Sequence, residues 1–158
     1  MHARHLIAHA ASLLGACAAA VSLALVLPTP AQAASALVLQ DQTALRAAPK
    51  DAAPLLTPLW RGEALELRGV KGDWLQVWDH GRERGGFVRA QVLLSIPAGD
   101  AALPELLAQL RLVRQQAGAE ALGLGLAAAL IERADSDWLA GPEGAEMLDA
   151  LVQLQERL

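Results

Sequence analysis

The chain contains few cysteine, histidine and aromatic residues. Its 158 residues contain one cysteine, no tyrosine, one phenylalanine and four histidines. A single cysteine excludes an intrachain disulfide and a thiolate metal cluster. Beyond residue 33 only one histidine remains, His80, which excludes a histidine-rich metal site. The sequence therefore predicts no metal and no other cofactor.

Residues 1–33 have the pattern of a secretory signal peptide. Arg4 precedes an apolar run over residues 10–27, and small residues, Ala31 and Ala33, stand at the positions that a signal peptidase recognises. Cleavage is predicted after Ala33. The protein would then be periplasmic or secreted.

Two other fates of this segment are compatible with parts of the pattern. The 18-residue apolar run could be kept as a membrane anchor, since about 20 apolar residues span a bilayer. Cys17 could instead be lipidated, but a further apolar stretch follows it where a lipoprotein signal should end. The prolines at 28 and 30 and the two alanines favour cleavage.

The charge of residues 34–158 argues against nucleic acid as a partner. Counted along the sequence, this part has 12 basic and 17 acidic residues, whereas nucleic-acid binding depends on basic patches. Residues 34–95 hold 8 basic and 7 acidic residues, and residues 96–158 hold 4 and 10. This shift predicts two parts, 34–95 and 96–158.

The first part shows the alternation of short β-strands. Leu65 and Leu67 share one face of a strand and Glu66 and Arg68 the other, and a tight turn at residues 71–73 leads into a second alternating run. Four or five short strands in about 60 residues fit a small, strongly bent barrel.

The second part has helical periodicity and predicts a bundle of about three α-helices, so the fold class is α+β. The first helix begins near Pro104 and ends near Gly118, the second covers residues 119–133, and the third begins at Pro142. The second is apolar nearly all round and is expected to be central. Small residues at 121, 125 and 129 would permit close packing. No membrane span is predicted in residues 34–158, because the apolar core of this helix has only 11 residues.

Residues 37–94 resemble the bacterial SH3 (SH3b) domain family through four segments in the family's order. Residues 43–49, TALRAAP, are similar to its "LNVRSGPS" opening, and residues 59–67, LWRGEALEL, to "L-x-x-G-x-x-V-x-V". Residues 72–77, GDWLQV, match "G-x-W-x-x-V", and residues 86–93, GFVRAQVL, resemble the closing "G-W-V-x-x-x-Y-L". Phe87 and Val92 replace the family's closing Trp and Tyr.

The resemblance implies an SH3-like barrel of five to seven strands. Family members are usually targeting or binding modules for cell-wall peptides or other ligands in exported proteins. No family resemblance covers the helical region, residues 96–158.

Catalysis has little support in the sequence. A thiol nucleophile is missing beyond residue 33, and the serines that could partner His80, which are Ser35, Ser95 and Ser136, lie in no nucleophile-elbow motif. We therefore expect a protein that is not an enzyme.

Three tryptophans are the candidate binding residues. Period-2 alternation places Leu75 and Val77 in the barrel core and puts Trp60, Trp74 and Trp78 outside it. Large aromatic side chains with a polar edge are favoured anchors for recognition. We expect these residues, with Arg46, to contribute to a ligand-binding surface, unless the helical region or a second copy covers them.

Two functional hypotheses follow. In the first, the protein is an exported, non-catalytic binding module of the cell envelope that recognises a peptide or peptidoglycan-derived ligand. In the second, it is a structural scaffold whose helical region binds a partner protein or self-associates.

Overall fold

A computed structural model describes residues 34–158 and shows an α+β fold, with a seven-stranded antiparallel sheet followed by four helices. The predicted signal peptide, residues 1–33, lies outside the described residues. The strands are β1 (Ser35–Val38), β2 (Thr43–Arg46), β3 (Leu55–Leu59), β4 (Ala64–Lys71), β5 (Trp74–Asp79), β6 (Arg84–Arg89) and β7 (Leu93–Ile96). The helices are α1 (Leu103–Val113), α2 (Glu120–Arg133), α3 (Ser136–Ala140) and α4 (Pro142–Gln155).

The sheet order is β3-β2-β6-β5-β4-β1-β7, so β3 and β7 are its two edges. All seven strands contribute to one inner core cluster, which includes Leu45, Leu59, Leu65, Val77, Val88 and Leu93. Leu75 and Val77 lie in this cluster, as alternation predicts. Seven strands exceed the four or five that alternation alone predicts, because a 3₁₀ turn at Ala90–Val92 separates β6 from β7 and several strands have only four residues.

The turns between the strands form where the sequence places them. Gly72 and Asp73 make the two-residue turn between β4 and β5, and Gly72 takes a positive φ of 61°. Gly62, in the turn between β3 and β4, has a φ of 83°. Both glycines adopt the left-handed backbone conformation that other residues rarely take.

The helices pack on the outer face of β1 and β7. Leu37 and Ile96 from the sheet belong to a second core cluster with Leu110, Leu126, Leu130 and other residues of α1, α2 and α4. The central helix is α2, which contacts α1, α4 and β1. Its small residues approach the sheet, since Gly125 lies against the carbonyl oxygen of Gly62, 2.6 Å from the position a Cβ would take.

The bundle has one helix more than the three expected. The extra helix, α3, has five residues, too few for periodicity to reveal, and Asp135 caps it by accepting a hydrogen bond from the backbone N–H of Trp138. Within residues 34–158, no helix is long and apolar enough to cross a membrane.

One buried side chain joins the helices to the sheet. Arg133, near the end of α2, is 7% exposed. Its guanidinium donates hydrogen bonds to the carbonyl oxygen of Pro97 (3.3 Å), the carbonyl oxygen of Ala129 (3.0 Å) and Oγ of Ser35 in β1 (2.7 Å). A buried guanidinium is tolerated when such partners satisfy its N–H groups.

Candidate functional site

The candidate site is a groove on the outer face of β2, β6 and β5. It has a volume of about 240 Å³, and its lining includes Thr43, Arg46, Asp51, Trp74, Arg89 and Gln91. We call it the Trp74 groove. Two of the four predicted site residues, Arg46 and Trp74, line it.

The register of three strands brings these side chains together. Arg46 of β2 pairs with Phe87 of β6, and Arg89, two residues further on, pairs with Trp74 of β5. Residues paired across a sheet, and those two apart along a strand, point to the same face. Arg46, Arg89 and Trp74 therefore share the outer face.

Trp74 is covered by its cross-strand neighbour. The guanidinium carbon of Arg89 lies 4.3 Å from the centroid of the Trp74 ring, within the range of a cation–π contact. Trp74 is only 6% exposed, although it belongs to neither core cluster. The ring is thus part of the wall of the groove, beneath a charged side chain.

Arg89 is held by the loop between β2 and β3. Asp51 accepts two hydrogen bonds from it, from Nε at 3.3 Å and from Nη2 at 2.5 Å. Arg46 orders the same loop by donating from Nη1 to the carbonyl oxygen of Ala53 at 2.8 Å. The loop therefore places a carboxylate on the stacked arginine.

The other two predicted tryptophans lie elsewhere. Trp60 follows β3 in a turn and is 46% exposed, and it does not line the Trp74 groove. Trp78 pairs with Gly85, and its ring lies against that glycine while Arg68 stacks at 4.3 Å from the ring centroid. The structure therefore separates the four candidates into one pair in the groove and two isolated tryptophans.

Cover by the helical region was the alternative to a ligand-binding role for the tryptophans. Trp138 is the tryptophan that packs against the helical core cluster. Trp74 and Trp78 are instead stacked by arginines from adjacent strands. Their shielding is local to the sheet.

A second cavity of about 240 Å³ contains the chain's serine–histidine–carboxylate combination. Ser35, Glu66, His80 and Glu132 are among its lining residues. Nε2 of His80 is 2.7 Å from Oε2 of Glu66, and Arg68 donates to the same carboxylate. Hydrogen bonds from Arg68 and, second, from His80 hold the pKa of Glu66 below its usual value of 4.5.

This second cavity lacks the arrangement of a nucleophilic centre. Oγ of Ser35 accepts a hydrogen bond from Arg133, and within residues 34–158 no hydrogen bond joins it to His80. A general base must contact the hydroxyl whose proton it removes. The same part of the chain contains no cluster of three or more His, Cys, Asp or Glu side chains suited to a metal ion.

Sequence reasoning missed Arg89 and Asp51. Arg89 lies two residues after Phe87, in the segment that resembles the family's closing motif. Its partner Trp74 depends on the register of the β5–β6 hairpin, which no short turn motif fixes. Asp51 lies in a long loop, and only the folded path of that loop brings it to Arg89.

Comparisons with protein-family models and with curated proteins gave no match to this chain.

Proposed function

We propose that this protein is an exported, non-catalytic binding module of the cell envelope, built on an SH3-like barrel, that binds a peptide or cell-wall-derived ligand in the Trp74 groove. The observation on which this depends is the grouping of Trp74, Arg89 and Arg46 at one open cavity on the sheet. An aromatic ring with adjacent guanidinium groups is typical of recognition sites.

The inner core supports the barrel part of the proposal. The edge strands β3 and β7 are not hydrogen-bonded to each other, yet Leu59 of β3 and Leu93 of β7 belong to the same apolar cluster. A flat sheet would not bring its two edges to one core. The strong curvature that this requires is typical of small barrels.

The first test is retention of residues 34–158 on purified peptidoglycan. The parent protein is expected to bind, and Arg46→Gln is expected to weaken binding by about tenfold or more, as loss of a charged hydrogen-bonding group does. Arg84→Gln is the matched control. Arg84 also donates from Nη1 to a backbone carbonyl, that of Leu56 in β3 at 3.0 Å, but does not line the groove.

Both variants must first show the thermal unfolding of the parent. No retention of the parent would contradict cell-wall binding, and equal loss in the two variants would contradict a site in the Trp74 groove. Retention that fails only in Arg46→Gln supports the proposal.

An exposed apolar stripe on α4 favours a second candidate, a scaffold that binds a partner protein or self-associates. Leu148 and Val152 lie one helical turn apart and are 54% and 55% exposed. For this candidate, light scattering should show an oligomer that the double variant Leu148→Gln/Val152→Gln converts to a monomer. A monomeric parent without a protein partner would contradict it.

A further inference from the structure

The Trp74 groove already contains one bound carboxylate, that of Asp51. Both hydrogen bonds of Asp51 go to Arg89, on Nε and Nη2, which is the two-pronged geometry that a guanidinium offers to any carboxylate. The Asp51 side chain is 72% exposed. An exposed ion pair contributes little to stability, so another carboxylate can replace that of Asp51 at little cost.

Arg89 is the better-held partner of the pair. It stacks on Trp74 and is the last residue of the interior strand β6, whereas Asp51 lies in the loop between β2 and β3. If a ligand separates the Arg89 guanidinium from the Asp51 carboxylate, we expect the guanidinium to keep its position and Asp51 to move. An anionic group can therefore bind Arg89 in place of Asp51, while Arg89 stays stacked on Trp74.

The other charged side chains of the groove also favour an anionic ligand. Its other carboxylate, Asp41, accepts a hydrogen bond from the backbone N–H of Arg61 at 3.1 Å. Arg46 uses Nη1 for the loop carbonyl of Ala53, which leaves most of its five N–H donors for other partners. Displacement of Asp51 would thus leave two guanidinium groups facing the ligand.

We propose that the groove recognises a peptide carboxylate, which takes the place of Asp51 on Arg89. The inference rests on the proposed function, since it names the chemical group that the Trp74 groove binds. The carboxylate can belong to a cell-wall peptide or to the C-terminus of another peptide. The two sources share this chemistry and are separated by the arms of the test.

The probe is N-acetyl-tri-alanine with a free C-terminal carboxylate, compared with its C-terminal amide. Titration into ¹⁵N-labelled protein (residues 34–158) is followed at the Arg89 Nε–H and Trp74 indole N–H resonances. The acid is expected to shift both resonances and to bind at least tenfold more tightly than the amide, as loss of a charge-assisted bond predicts. Equal effects of acid and amide, or no shift with the acid, would overturn the proposal.

Three variants identify the group that the acid displaces. Arg89→Gln should abolish the difference between acid and amide. Asp51→Asn should tighten binding of the acid two- to fivefold, roughly the fold-change of an exposed ion pair. Asp73→Asn is the matched control, because Asp73 is 3.7 Å from Nη1 of the same arginine and its replacement leaves the Asp51 hydrogen bonds intact. Affinity for the acid should change little in this variant. Equal tightening in both aspartate variants would indicate general electrostatics and contradict displacement.

Soluble peptidoglycan fragments form the last arm, used untreated and after chemical amidation of their carboxylates. Binding of the untreated fragments alone supports both proposals. Equal binding of both forms contradicts carboxylate recognition and leaves the cell-wall function intact. Binding of N-acetyl-tri-alanine without binding of either fragment contradicts the cell-wall function and leaves carboxylate recognition intact.

Discussion

Gly62 lies against the carbonyl oxygen of Ala121, so that the turn after β3 meets the first turn of α2 backbone to backbone. A Cβ at residue 62 would overlap with that oxygen, and the φ of 83° adds the strain of a left-handed residue. Gly62→Ala should therefore lower the free energy of unfolding by about 3 kcal/mol, more than the roughly 1–2 kcal/mol of backbone strain alone. Urea denaturation measures the difference.

Gly72→Ala separates the two contributions. Gly72 also has a positive φ, of 61°, but nothing lies within 4 Å of the position a Cβ would take. This variant should lose only the strain contribution, about 1–2 kcal/mol of the free energy of unfolding. Equal decreases in the free energy of unfolding of the two glycine variants would show that the close contact between α2 and the turn does not contribute to stability.

The Arg133 hydrogen bonds should couple the stability of the helices to that of the sheet. Arg133→Met keeps the apolar stem but removes the guanidinium that donates to Pro97, Ala129 and Ser35. The variant should lower the free energy of unfolding by about 2–3 kcal/mol. Ser35→Ala alone should cost about 1 kcal/mol. In the Arg133→Met background, Ser35→Ala should have almost no effect, and additive losses in this double-mutant cycle would contradict the coupling.

The pKa of Glu66 should lie below 4.5 and should rise more in Arg68→Gln than in His80→Gln, because the hydrogen bond from Arg68 is the larger cause. Carboxyl-carbon NMR titration measures both changes. A larger rise in the histidine variant would show that the imidazole dominates.

The same group makes stability depend on pH in a defined direction. A carboxyl whose pKa is lowered by folding stabilises the native state above its unfolded value, near pH 4.5, and this contribution disappears as the pH falls through the folded pKa. Glu66→Gln should therefore be less stable than the parent at neutral pH and converge with it in acid. A constant difference across this range would contradict the linkage.

Export should produce a chain that begins at Ala34. The full-length protein, expressed in a bacterium that secretes it, is expected to have this N-terminus by intact mass, since Ala31 and Ala33 meet the peptidase requirement. Ala33→Leu should leave the precursor uncleaved, while Ala34→Leu, one residue beyond the cut, should be processed. A mature protein that retains residues 1–33 would contradict the signal-peptide prediction.

The parts of the fold that local patterns encode are predictable from the sequence. Alternation identified Leu75 and Val77 as core residues, and Pro142 marks the first residue of α4 in both sequence and structure. Strand number was underestimated because four-residue strands such as β7 contain too few alternating positions. The five-residue α3 was missed for the same reason, and its Asp135 cap is a single local signal.

The candidate site was only half predictable. Alternation gives the face on which Trp74 lies, but not what covers the ring, which depends on the cross-strand partner Arg89. The sequence groups the three tryptophans because alternation places each of them outside the core. Their positions in the folded sheet, with Trp60 in a turn and Trp78 on Gly85, depend on long-range register that single-strand patterns do not contain.

The position of β1 has a consequence for the timing of folding. This strand is the first of the sheet to be synthesised, yet it lies between β4 and β7, and its pairing with β7 must wait until Leu93 has been made, 55 residues after Val38. At the usual elongation rate of about 5–20 residues per second, that interval is roughly 3–11 seconds. Late in this interval β1 can already pair with β4 but not with β7, so one edge of the strand stays open to other chains until β7 has been made.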